Sequence, residues 1–120
     1  MAETPEGKVK RWLYGTAQKP GKLFDYFPGA WVYKPPGGMF GRAGTADCLL
    51  CWRGIFVAIE VKAEGNTPTE LQLRSLRNIN KAGGIGAILT GKDESRLDAI
   101  RSAVLAKLQE IGREWSQSTI

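Results

Sequence analysis

Residues 47–62, DCLLCWRGIFVAIEVK, predict a β-hairpin with charged side chains at its open end. Two apolar runs meet at Arg53 and Gly54, which suit a two-residue hairpin turn. In that register the residues before the turn face those after it in order, so Asp47 lies opposite Glu60. A slip of one residue would move a carboxylate to the other face of the sheet, so the position of the turn decides the pairing.

The open end of this hairpin combines two carboxylates with a lysine. Lys62 follows Glu60 by two residues and therefore shares the face of Glu60 and Asp47. Opposed carboxylates repel, and Lys62 would neutralise part of that repulsion in a purely structural ion pair. A divalent cation is the other explanation, because Mg²⁺ prefers oxygen ligands and is typically held by one or two carboxylates. A lysine beside the metal would orient or deprotonate an attacking water.

The composition limits the chemistry that these residues perform. The 120 residues are 42% hydrophobic and 24% charged, as expected of a single globular domain covering 1–120. No apolar run approaches the ~20 residues of a transmembrane helix, and the N-terminus lacks a signal-peptide pattern. We therefore expect a cytoplasmic protein without a membrane partner. The absence of histidine excludes His-dependent nucleophile systems and His-based metal sites within this chain.

The net charge of +5 has an uneven distribution. Residues 7–46 contain seven bases and one acid, Asp25, a balance that suits a polyanion such as DNA. A glycine-rich segment, residues 37–44, leads to Asp47 and is either a flexible connection or a substrate contact. We expect phosphate contacts from four bases of this region: Lys8, Arg11, Lys34 and Arg42.

The remaining pattern predicts an α/β fold. Proline at a first helical position, capping residues and glycine pairs mark the ends of the helices, and the strands are short apolar runs. After the hairpin turn the chain forms a strand, a helix and another strand, an order that predicts a parallel crossover. Together with the antiparallel hairpin, this predicts a central mixed sheet flanked by helices. The predicted elements are a helix from 4 to 20–21, a strand at 30–34, the hairpin at 47–62, a helix from 67 to 83–84, a strand at 85–90 and a helix from 93 to about 115.

Two further patterns are chance matches. Cys48 and Cys51 have metal-ligand spacing, but alternate strand positions point to opposite faces, and the chain has no second cysteine pair or histidine to complete a zinc site. We expect both to be buried, reduced cysteines. Residues 86–92 have P-loop spacing, but Asp93 stands where Ser or Thr is required, so we expect no nucleotide cofactor.

The charged hairpin resembles a known nuclease signature. GTAD at 44–47, followed after an apolar strand by IEVK at 59–62, resembles the motif of PD-(D/E)xK nucleases. With Gln72 on the next helix, the set is similar to the VRR-NUC (virus-type replication-repair nuclease) family. TPE at 4–6 and AGG at 82–84 fit its stand-alone phage members, so the resemblance covers nearly the whole chain. The alanine of GTAD replaces the proline of the motif name, at a position that shapes the backbone rather than the chemistry.

This resemblance implies a restriction-endonuclease-like fold and a role for each matching residue. Asp47 and Glu60 would hold the metal, with the Val61 carbonyl as a further ligand. Lys62 would position or activate water. Gln72 would lie at the edge of the site, which would account for an amide on or beside an apolar stripe.

The role implied for Glu6 has an alternative. The resemblance makes Glu6 part of the acidic cluster or a ligand of a second metal. A favourable interaction with the positive end of its own helix dipole explains the residue nearly as well.

The resemblance also implies an activity. It is that of a Mg²⁺-dependent DNA endonuclease, with Mn²⁺ as a substitute, which acts as a homodimer on branched DNA such as four-way (Holliday) junctions. A flap or nicking endonuclease is the nearest alternative. A non-catalytic DNA-binding module that keeps the fold, and a structural protein with a surface ion-pair cluster, are the alternatives from other classes.

Overall fold

One mixed four-stranded sheet with helices on both faces forms the protein. The computed structural model describes residues 3–36 and 44–112. Its elements are α1 (Pro5–Tyr14), α2 (Leu23–Tyr26), β1 (Trp31–Tyr33), β2 (Cys48–Trp52), β3 (Ile55–Lys62), α3 (Glu70–Lys81), β4 (Ile85–Thr90) and α4 (Glu94–Ile111). The strand order is β1-β2-β3-β4, with antiparallel pairing except between β3 and β4, which are parallel. The predicted mixed sheet flanked by helices is confirmed.

The β2–β3 hairpin has the predicted register. Arg53 and Gly54 both have positive φ angles, 53° and 81°, as the two central positions of a type I′ turn require. Successive residue pairs follow the turn, and the last of them joins Cys48 to Ile59. Asp47 directly precedes that pair, so the charged end of the hairpin lies where the two strands separate.

The sheet separates a large core from a small one. Helices α1, α2 and α4 bury the large core on one face, with fully buried side chains that include Leu13 and Leu50. Helix α3 covers part of the other face, where Ala58 and Leu76 belong to the small cluster. Because side chains alternate along a strand, Glu60 shares the face of Ala58 and not that of the large core.

Helix α1 ends earlier than predicted. It stops at Tyr14 instead of continuing to residues 20–21, because Gly15 adopts a φ of 84° and its N–H donates to the Arg11 carbonyl. A Cβ at Gly15 would lie 2.3 Å from the Lys19 carbonyl oxygen, so the turn has no space for a side chain. The chain then folds back against the helix before α2 begins.

Helix α3 begins later than predicted. Its N-cap is Thr69 rather than Thr67, and Pro68 lies before the helix instead of at its first position. The Gln72 N–H donates to Thr69 Oγ1 at 3.2 Å, and the Thr69 N–H donates to Gln72 Oε1 at 2.8 Å. These reciprocal bonds form a capping box two residues further along the chain than the predicted one.

The two cysteines differ in exposure. Both are free thiols, and Cys48 is buried as predicted. The prediction was wrong for Cys51, which is exposed because it lies on the sheet face that α3 covers only in part. No helix among the described residues is long and apolar enough to span a membrane.

Candidate functional site

Asp47 is fixed by three contacts from two elements, strand β3 and helix α1. Its Oδ2 accepts a hydrogen bond from the Val61 N–H at 2.9 Å, and its Oδ1 lies 3.0 Å from Lys10 Nζ. Its backbone carbonyl accepts from the Tyr14 hydroxyl at 2.6 Å. The carboxylate therefore has one oxygen bound to strand β3 and the other facing a lysine of α1.

Glu60 is the one buried charged residue among the described part of the chain, with 2% exposure. Its Oε1 lies 3.8 Å from Lys62 Nζ, whereas its Oε2 is buried without a hydrogen-bond partner among the described residues. Burial raises the pKa of Glu60 to about 8, and the nearby charge of Asp47 adds to this effect. A buried carboxylate oxygen without a partner is costly in a folded protein, so this position requires an explanation other than packing.

Helix α1 brings Glu6 and Lys10 to the same place. The two residues are one helical turn apart and form an ion pair of 3.4 Å, and Glu6 Oε1 also lies 3.8 Å from Lys62 Nζ. Glu6, Lys10, Asp47, Glu60 and Lys62 thus form one group, called here the charged cluster. It contains three carboxylates and two ammonium groups at the edge of the sheet where β3 ends.

Lys10 and Tyr14 belong to this site although the sequence did not indicate them. Burial lowers the pKa of Lys10, but its hydrogen bond to Asp47 and the charges of Asp47 and Glu6 outweigh that effect and raise the pKa. Burial is the main cause of a raised pKa at Tyr14, so its hydroxyl remains a donor to Asp47. The available signal was the i, i+4 spacing of Glu6, Lys10 and Tyr14, which lie on one side of α1.

Gln72 has a local structural role that the sequence interpretation did not include. Its side-chain oxygen accepts from the Thr69 N–H in the capping box of α3, which is sufficient reason for an amide at this position. A role at the edge of the site stays a prediction.

The predicted phosphate contacts lie in different places. Lys8 and Arg11 are on α1, where Arg11 pairs with Glu3 at 3.0 Å. Lys34 lies over the Tyr14 ring, 4.8 Å from its centroid, and is therefore next to the charged cluster. Arg42 lies outside the described residues.

The residues at the end of β3 fit a hard divalent cation. Among the described residues there is no group of three or more His, Cys, Asp or Glu side chains arranged to hold a metal. Mg²⁺ does not need such a group, because it keeps several waters and usually binds one or two carboxylates. Asp47 and Glu60 supply two carboxylates, and Glu60 Oε2 is a buried acceptor without a partner. The Val61 carbonyl remains the third predicted ligand.

Lys10→Met is expected to strengthen Mn²⁺ binding by about 5-fold, equivalent to the ~1 kcal/mol of a partly exposed ion pair. The ammonium of Lys10 lies 3.0 Å from Asp47 Oδ1 and would compete with a bound metal for that oxygen, whereas methionine keeps a similar side-chain length without the charge. Titration with Mn²⁺ followed by electron paramagnetic resonance measures the change. Lys81→Met, on the exposed side of α3, is the control, and equal affinities in the two variants would contradict the competition.

Comparisons with known proteins bear on the fold. A scan against protein-family models and a search of curated proteins find no match. A solved structure described as "VRR_NUC domain" matches with a TM-score of 0.59 and 26% identity over 82% of this chain and 96% of that one. A second, described as "VRR_NUC domain protein", matches with a TM-score of 0.52 and 22% identity over 91% and 92% of the two chains, and supports the fold.

The fold and the sequence of the hairpin indicate the same family. The restriction-endonuclease-like arrangement places Asp47 beside the end of β3, and the strand carries Glu60 and Lys62 on one face. The match to a VRR_NUC structure extends over most of both chains. These similarities support the VRR-NUC family for this chain, and its fold is consistent with that of PD-(D/E)xK nucleases.

Proposed function

We propose that the chain is a metal-dependent endonuclease that hydrolyses DNA phosphodiesters at the charged cluster. The observation that carries this proposal is Glu60 Oε2, which is buried next to Asp47 without a hydrogen-bond partner among the described residues. The similarity to a VRR_NUC structure supports hydrolysis of a nucleic acid. The metal, the preference for DNA and the residue roles are inferred from the chemistry of the cluster.

A purely structural ion pair explains the cluster less well. Lys62 contacts Glu60 through Oε1 at 3.8 Å, longer than a good charge-assisted hydrogen bond, and leaves Oε2 without a partner. With its pKa raised to about 8, Glu60 stays protonated at neutral pH beside Lys62, so the ion pair alone does not hold it as a carboxylate. A bound cation would satisfy both carboxylates at the same time.

The residues of the chain have separable roles in the proposed reaction. Bound Mg²⁺ or Mn²⁺ would polarise the scissile phosphate and lower the pKa of a coordinated water. Asp47 and Glu60 would hold the cation, and the Val61 N–H would keep the Asp47 carboxylate in place through its 2.9 Å bond. Lys62, with 14% of its side chain exposed, would orient or deprotonate the attacking water. Glu6 would hold Lys62 in position or reach a second metal.

A homodimer would suit a branched DNA substrate. Two-fold symmetry would present two equivalent sites to opposite strands of a four-way junction. A surface of the sheet is available for such contact: Trp31 and Tyr33 are stacked on the edge strand β1 and are 63% and 46% exposed, and Phe56 on β3 is 41% exposed. Exposed aromatic side chains beside an open sheet edge favour a protein partner, here a second copy of the chain.

Trp31→Ser is expected to convert the homodimer to a monomer, because it removes the most exposed aromatic side chain of this surface. Sedimentation velocity at several protein concentrations measures the change. Leu105→Ser is the matched control, since Leu105 is 42% exposed on α4, away from this surface. A monomeric wild-type protein, or dimers in both variants, would contradict this assembly.

Cleavage of a panel of labelled DNA substrates tests the activity. Four-way junctions, flaps, nicked duplexes, linear duplexes and single strands are incubated with Mg²⁺, Mn²⁺ or EDTA, for the wild-type protein and Asp47→Asn. We expect metal-dependent cleavage that is fastest on four-way junctions and absent in the variant. Preference for flaps or nicked duplexes would instead identify a flap or nicking endonuclease. Binding that is indifferent to metal, without cleavage of any substrate, would identify a non-catalytic DNA-binding module.

A further inference from the structure

A cavity of about 540 Å³ lies on the side of α1 that faces away from the charged cluster. Lys8 and Trp12 line it and are one helical turn apart. Glu6 and Lys10 are offset from them by two residues, which is about half a turn of an α-helix. One helix therefore contributes to the charged cluster on one side and to this cavity on the other.

The cavity carries positive charge that the described residues neutralise only in part. Three of its lysines, Lys8, Lys19 and Lys92, have no carboxylate partner within 4 Å among the described residues. Two further cations of its lining are paired: Arg11 contacts Glu3, and Lys22 contacts Asp25 and Glu94. Three unpaired ammonium groups around one concavity repel each other, so an anion bound between them would be stabilised.

The loop that contributes Lys19 is held in a defined conformation. The Thr16 N–H donates to the Lys19 carbonyl at 2.8 Å, and Thr16 Oγ1 accepts from the Lys19 N–H at 3.2 Å. A bridge between Gly15 and Pro20 closes the loop. Gly21 packs so tightly that an added Cβ would lie 2.2 Å from the Leu13 carbonyl oxygen. The cavity wall is thus largely formed before a ligand binds, which lowers the entropy cost of binding.

Lys92 connects this cavity to the end of the sheet that carries the charged cluster. It lies two residues beyond Thr90, which pairs with Lys62 in the parallel β3–β4 ladder. The Gly91 N–H donates to the Lys62 carbonyl at 2.8 Å. A polyanionic strand cleaved near Lys62 could therefore continue past Lys92 into the cavity.

We propose that the cavity binds one unpaired nucleotide of a nucleic acid strand that also passes the charged cluster. Lys8, Lys19 and Lys92 contact its phosphate groups, and the half-buried Trp12 ring stacks on the base. The volume lies within the ~300–1,000 Å³ of small-molecule pockets, and a base can reach an aromatic ring in a concavity only when it is not paired in a duplex. This inference rests on the proposed nuclease function for the class of its ligand.

Binding of a fluorescein-labelled oligothymidylate, measured by anisotropy in EDTA over a range of salt concentrations, tests the cavity. Lys8→Gln/Lys19→Gln is expected to weaken binding roughly 10-fold and to reduce the slope of log affinity against log salt by about 1.4, since each phosphate contact on a single strand contributes ~0.7. Arg77→Gln/Lys81→Gln removes two positive charges from the exposed side of α3 and is the matched control. Equal losses in the two double variants, or no binding by the wild-type protein, would overturn the inference.

An abasic strand of the same length tests the base contact. Trp12→Leu is expected to weaken binding of the oligothymidylate about 5-fold or more and to leave binding of the abasic strand unchanged. Equal losses for both strands would overturn the stacking role, and thermal melting verifies that the variant is folded. Because metal is absent, these measurements do not depend on cleavage: failure to cut any substrate would overturn the nuclease function, whereas cavity-independent binding would overturn this inference.

Discussion

Lys62→Met is expected to lower the rate of metal-dependent DNA cleavage by ~10²–10⁴-fold, the usual contribution of a positioned proton-transfer group. The ammonium of Lys62 lies 3.8 Å from both Glu6 and Glu60, so methionine removes the charge next to the proposed metal ligands and retains most of the side-chain volume. Single-turnover cleavage at saturating Mg²⁺ measures the chemical step separately from DNA binding.

A slower cleavage by Lys62→Met reports on catalysis only if the variant still binds DNA. Lys62→Met is expected to bind DNA within a few-fold of the wild-type affinity in EDTA, because one lysine is a small part of the basic surface. Lys81→Met, at the exposed end of α3, is the control for the loss of one positive charge. A Lys62→Met protein that cleaves at the wild-type rate would show that the reaction takes place elsewhere.

Glu60→Gln is expected to stabilise the metal-free protein at about pH 8 and to remove a pH dependence that the wild type has. The pKa of Glu60 is about 8 in the folded protein against an ordinary value of 4.5, so between these limits the folded state holds a proton that the unfolded state has lost. The stability that protonated Glu60 gives the wild-type folded state is fully present below about pH 4.5 and decreases as pH rises toward 8. The slope approaches ~1.4 kcal/mol per pH unit within this window.

Urea unfolding in EDTA at several values between about pH 5 and pH 8 measures this slope. Glu110→Gln is the control, because it removes an exposed carboxylate of α4 and keeps the buried carboxyl of Glu60. Mg²⁺ is expected to restore stability to the wild-type protein at about pH 8, because the ionised Glu60 binds it, and to have much less effect on Glu60→Gln. A wild-type stability that does not change with pH would contradict the raised pKa.

The sheet and the hairpin could be predicted from the sequence because local rules determine them. Arg53 and Gly54 suit only a tight turn, and the turn fixes which residues face each other along β2 and β3. The position of Asp47 beside the end of β3 follows from that register alone. The observed ladder ends at Cys48 and Ile59, one pair before the predicted Asp47–Glu60 pair, and the Asp47 carboxylate there accepts a hydrogen bond from the Val61 N–H.

Contacts between distant segments could not be predicted in the same way. Lys10 and Tyr14 reach Asp47 only because α1 packs across the end of the sheet, and nothing in the hairpin specifies that packing. The early end of α1 at Tyr14 depends on a close approach between Gly15 and Lys19. The sequence interpretation explained the amide of Gln72 by a position at the edge of the site. The capping box with Thr69 is a simpler, local explanation.

The length of the turn at Arg53 and Gly54 controls the geometry of the distant charged cluster. The turn lies five residue pairs, roughly 16 Å, from the charged cluster and contributes no side chain to it. Yet a single-residue insertion there would shift one strand against the other and carry Asp47 out of reach of the Val61 N–H. Insertions and deletions in this hairpin are therefore expected to damage the site even far from it, because they change the strand register.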